Sequence, residues 1–206
     1  MSGRTWTLVA AACAVLVCMA GDAHAQRWRA GDTWTFGNRC RMTWDAPGTS
    51  FTLAQDPVIS TGEGSASWSD PSTGALVLYT DGISVWNASG TSIFSGLPGN
   101  PSSMHSAVVA PVPGTPGEIY VFAHDATVSS SVAYQRFSVS GAPAAVGSTG
   151  TISLPASEGR EGLLLIPHAN GTDAWLLVSG ATSLFVVPVT AAGVGAPQQL
   201  ASGLTV

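Results

Sequence analysis

SASWSDPSTGALVLYTDGISVWNASG occupies residues 65–90, and its order decides the fold: an opening strand, a proline and glycine turn, two strands around Asp81-Gly82, and a closing glycine. The same order returns in SAVVAPVPGTPGEIYVFAHDATVSSSVAYQRFSVSG (106–141) and GLLLIPHANGTDAWLLVSGATSLFVVPVTAAG (162–193). The closing glycines Gly90, Gly141 and Gly193 lie 51 and 52 residues apart. A fixed period of that size marks stacked units, because one unit cannot bury its own apolar faces without neighbours.

Within each unit the strands can be placed. Residues 75–80 and 83–86 flank Asp81-Gly82, a pair suited to the type I′ turn of a hairpin. Residues 118–124 pair with 133–139, and 174–178 with 184–189. Pro188 lacks a backbone donor, which assigns it to an edge or a bulge. A strand precedes each hairpin at 65–69, 106–110 and 162–166, and a weaker segment follows each closing glycine as a candidate outermost strand. The fold class expected is therefore all-β, with antiparallel blade-like repeats near 63–100, 104–157 and 161–206: a partial β-propeller. Short strands at even spacing also suit a β-sandwich, which stands as the alternative.

Outward from the repeats, the N-terminus reads as an address. Arg4 precedes an apolar run, Leu8 to Ala20, and Ala23-His24-Ala25 offers a small-x-small cleavage pattern, so 1–25 is expected to be a signal peptide and 26–206 the exported repeat domain. An N-terminal anchor is the competing account, opposed by the shortness of the run and by Asp22. Val17 before Cys18 and the early place of Cys13 argue against a lipoprotein. A secreted or cell-surface location follows, with the periplasm as the other destination.

The remainder has six arginines, eleven acidic residues, no lysine and one cysteine, Cys40. Without a basic cluster there is no grip on phosphate backbones, so nucleic acid is not an expected partner. One cysteine permits no internal disulfide; Cys40 is expected as a buried small hydrophobe or as half of an intermolecular pair. Charged residues make up only 9% of the chain, and no window keeps a helical period.

Candidate chemistry is sparse. His105, His124 and His168 are scattered, and neighbours His124 and Asp125 point to opposite faces of a strand, which opposes a shared metal. Glu158 and Glu161 would suit glycosidic acid/base work only across a cleft, and a solvated loop suits them better. No Gly-x-Ser-x-Gly elbow or phosphate cradle is present. Asn87-Ala-Ser and Asn170-Gly-Thr read as turn chemistry. Trp68, Trp86 and Trp175 are expected in inter-unit packing; Trp28, Trp34 and Trp44 either close the first unit or stack on sugar rings. No catalytic, cofactor-binding or metal-ligating residue is assigned, and no cofactor is expected.

WTFGN (34–38), EGSASWSDPSTGALVLYTDGISVWN (63–87), SSMHSAVVAPVPGTPGEIYVFAHD (102–125) and PHANGTDAWLLV (167–178) together resemble the N-terminal repeat region of secreted bacterial gliding-motility-associated and C-terminal-sorting-domain proteins. The resemblance implies a WD-type or quinoprotein-like propeller on an exported protein, without a settled activity. Residues 39–44 depart from that pattern. With three units plus an N-terminal strand, the chain is expected to be the front of a longer one, leaving apolar faces bare around Val108, Val109, Leu163 to Ile166 and the last unit. The function expected is a scaffold that binds protein or polysaccharide in adhesion or motility; the alternative is an extracellular polysaccharide hydrolase or lyase.

Overall fold

The computed structural model describes residues 29–45, 48–124, 131–155 and 161–203. Among them there is no α-helix, and every sheet is antiparallel. The first sheet holds β1 (Thr33–Phe36), β2 (Asn38–Trp44) and β3 (Phe51–Ser60). The second runs β4 (Ala66–Ser69), β5 (Leu76–Thr80), β6 (Ser84–Asn87), β7 (Ser92–Ser95). The third runs β8 (Ala107–Pro111), β9 (Glu118–Ala123), β10 (Ser131–Ser138), β11 (Ala144–Ser153). The fourth runs β12 (Leu163–Pro167), β13 (Ala174–Ser179) and β14 (Ser183–Thr190), whose far edge is shared by β15 (Gly193–Val194) and β16 (Gln198–Ser202).

Sheets two to four are the three sequence units, with the segments after the closing glycines supplying their outermost strands. The hairpin registers follow the expectation: Phe122 opposes Tyr134, and Leu176 opposes Val187. Pro188 opposes Trp175 on one side and, on the other, falls in the interval between β15 and β16, where no ladder partner asks it for a donor.

Alternation along the strands decides how the sheets stack. In β9, Ile119, Val121 and Ala123 join Leu78, Val85 and Phe137 in a core between sheets two and three, while Tyr120 and Phe122 enter a larger core with Leu163, Leu176, Val178 and Phe185 of sheet four. The leading strands lie side by side in series, β1 by β4, β4 by β8 and β8 by β12.

Three expectations are corrected. The Asp81-Gly82 turn is not type I′: Thr80 opposes Val85, so the connection spans four residues, and only Gly82 has a positive φ, +89°. Asp81 instead caps the turn, its Oδ1 accepting from the Ile83 and Ser84 amides at 2.8 Å each. A full three-stranded sheet stands where a lone N-terminal strand was expected. Val108 and Val109 are covered, Val108 by the third–fourth core and Val109 by the second–third core.

Candidate functional site: the two faces of the first sheet

Period two divides the first sheet into two chemically unlike faces. Opposed pairs in the register share a face, so Trp34 with Met42, Phe36 with Cys40, Met42 with Leu53 and Trp44 with Phe51 all lie on one side. That side is open: Trp34 is 48%, Phe51 51% and Leu53 64% exposed. Trp44 holds it together, meeting Trp34 at 6.1 Å and Phe51 at 5.3 Å between ring centroids, both edge-to-face. Cys40 is half-buried on this face rather than a core residue.

The other side, with Thr33, Thr35 and Arg41, meets sheet two through polar groups. Asp56 is fully buried and accepts five hydrogen bonds. Its Oδ1 takes the Val58 and Ile59 amides at 2.9 and 2.8 Å and the Tyr79 hydroxyl at 3.0 Å. Its Oδ2 takes both Nε and Nη2 of Arg41, at 3.2 and 2.6 Å. Burial pushes this carboxyl upward, but those donors outweigh it and hold Asp56 below the usual carboxylate range. Burial and the neighbouring Asp56 push the Tyr79 phenol well above its ordinary value. Arg41 lies over the Tyr79 ring at 5.6 Å and donates onward to the Ala88 carbonyl, tying the node to the loop after β6.

Two further devices fix this contact. Ser65, Ser67 and Ser69, on alternate positions leading into and along β4, bond the backbone of β1: Ser65 and Ser67 donate to the Thr35 and Thr33 carbonyls at 2.6 and 2.7 Å, and the Thr33 amide donates to Ser69 Oγ at 3.2 Å. Arg39 sits in the left-handed region at φ +63°, a conformation that costs a side-chain-bearing residue about 1–2 kcal/mol. Its guanidinium spans to the Asp56 and Pro57 carbonyls of β3 at 3.1 and 2.8 Å, bridging the two strands where their register shifts between Asn38 and Cys40.

The residues weighed from sequence are not brought together. His105 is exposed, His124 is buried at the end of β9 with Nδ1 donating to the Ser131 carbonyl at 2.9 Å, and His168 packs on Trp175 at 5.3 Å. Among the described residues no three His, Cys, Asp or Glu side chains gather as a metal site would require. Glu161 lies by the Met104 amide at 3.5 Å; Trp28, Asp125, Glu158 and the segment expected to be a signal peptide, with its expected cleavage point, lie outside the described residues. Asn87 and Asn170 cap their own turns, accepting from Thr91 and Asp173 amides at 2.9 and 3.0 Å. Trp68 packs in the second–third core and Trp86 on Tyr79, but Trp175 stands on the outer side of sheet four rather than between units.

Sequence reasoning missed Asp56 and most of the open face. The signals were present: aromatics alternating with threonines in 33–36, and one carboxylate inside an extended segment, a group that must find donors if buried. Chemically, Asp56 is consumed by its donors and serves as a structural anchor, whereas the open face offers apolar contact area. No helix among the described residues is long and apolar enough to cross a membrane.

No family model matches the chain, and no curated protein matches it. Among solved structures, the crystal structure of a triple arginine-to-alanine mutant of AofleA from Arthrobotrys oligospora is similar with a TM-score of 0.42 and 12% identity, over 84% of this chain. The chain spans 58% of that structure's length.

Proposed function

We propose that the chain is an exported scaffold of the β-propeller type that acts by binding, and that the outer face of its first sheet is the docking surface for a protein. Sheets two to four are sequential meanders whose leading strands lie in series, the arrangement that blades make around an axis. The observation that carries the binding reading is the continuous face of Trp34, Phe36, Met42, Trp44, Phe51 and Leu53, half-exposed at its rim. Protein is favoured over polysaccharide because Trp44 is packed edge-to-face between Trp34 and Phe51, and aliphatic Leu53 is the most exposed member; sugar stacking wants bare, parallel ring faces. Export rests on the N-terminal segment, and an adhesion or motility role on the sequence resemblance.

The test is photo-crosslinking from benzoylphenylalanine placed at position 53, with exposed Ser72 as the control site. Protein adducts at 53 and not at 72 are expected. An empty position 53 overturns the protein reading; co-sedimentation with insoluble polysaccharide that is lost in Trp34→Ala replaces it with sugar binding.

A further inference from the structure

We infer that the first sheet's outer face is covered by the outer face of the fourth sheet of a second copy of this chain, stacked head to tail. This names the partner of the docking surface above and rests on that reading.

The fourth sheet is apolar on both sides. Leu163, Leu176, Val178, Phe185 and Val187 are buried against sheet three. On the opposite side Leu164 opposes Leu177, Ile166 opposes Trp175, and Trp175 opposes Pro188, with Leu164 57% and Ile166 40% exposed. The run Leu163–Ile166 is continuous rather than alternating, like Ile119–Ala123 of β9, and β9 is covered on both sides. Such a run marks a strand built to lie between two layers.

The two open faces are the two halves of one contact. Sheet four presents the side that sheets two and three present to the sheet after them; sheet one presents the side that sheets three and four present to the sheet before them. β1 lies beside β4, β4 beside β8 and β8 beside β12, so another copy's first sheet, placed after the fourth, would extend that series of neighbours. Pairing two first sheets would leave Leu164 and Ile166 bare, whereas head-to-tail contact covers both faces with one kind of interface. A head-to-tail contact of this kind is heterologous, and where it closes it gives a finite ring.

The experiment uses the full chain secreted from its own leader, with light scattering, circular dichroism and a mixed-isotope crosslink. Wild type is expected at twice the chain mass. Leu53→Asp and Leu164→Asp, both at exposed positions, are each expected to halve that mass with unchanged strand spectra. Mixing the two variants restores a dimer, since each retains the face the other lacks. Benzoylphenylalanine at 53 should capture the Leu164 to Trp175 peptide of the other isotope. A monomeric wild type, a dimer broken by Leu53→Asp alone, or a mixture that stays monomeric each overturns the inference. If position 53 of a monomer still captures a different protein, the docking surface survives and only its partner is wrong; if it captures nothing, both fall.

Discussion

Sheets one and two, and sheets three and four, are both neighbours through their leading strands but are joined by opposite chemistry. The third–fourth contact is made of Tyr120, Phe122, Leu163, Leu176 and Val187, all removed from water and free to slide until volumes fit. The first–second contact is made of Asp56, Arg41, Tyr79 and three serines, each group aimed at one partner. Apolar packing supplies stability that depends on area; the polar contact supplies registry, and its stability depends on every donor being present. Neighbouring sheets of this chain are therefore not joined by one interface chemistry.

The largest effects should come from breaking the polar contact at its centre. Asp56→Ala strands Arg41 and the Tyr79 hydroxyl, and is expected to cost about 3–5 kcal/mol in urea unfolding, the usual penalty for removing one partner of a buried pair. The double replacement Asp56→Leu with Arg41→Met should recover only the part due to stranding Arg41, because the Val58 and Ile59 amides and the Tyr79 hydroxyl still lose their acceptor; full recovery would show that those three donors are not held by Asp56 alone. Leu176→Ala in the apolar contact should cost about 2–5 kcal/mol, with no compensating partner available.

Acidity separates the two contacts more sharply than mutation. Because Asp56 is held below its ordinary range when folded, the unfolded chain binds its proton first, and stability from this group is present above about pH 3.9 and lost as pH falls through the lowered folded value. The gap in unfolding midpoint between wild type and Asp56→Asn should therefore shrink on acidification, while that between wild type and Leu176→Ala stays level. The smallest effect belongs to Ser67→Ala, which leaves the Thr33 carbonyl without its donor and should cost about 1 kcal/mol by the same measurement. A cost near zero would show that the hydroxyl series is incidental.

The apolar units were legible in sequence and the polar one was not, for a physical reason. Runs such as Glu118–Ala123 and Ala174–Ser179 announce strands by composition. Hydrogen bonds across long sequence separations announce nothing: Asp56 meets Tyr79 and Arg41 only after three strands have been paired. The Asp81-Gly82 turn failed for a local reason, since the dipeptide fits a two-residue loop but the Asp81 carboxylate satisfies two amides better in a four-residue one. Trp175 was misplaced because a large ring on a strand says that some face is apolar, not which of two.

The serine series on β4 also bears on how the protein ages in solution. The Thr33 amide and the Thr33 and Thr35 carbonyls point away from β2, the direction from which a foreign strand would add. With those groups already engaged by hydroxyls, an incoming strand must displace three bonds before gaining its own, which raises the barrier to fibril nucleation at that edge. Replacing the three serines by alanine would remove that kinetic guard, and a concentrated sample compared at equal fraction folded would convert to thioflavin-positive fibrils sooner.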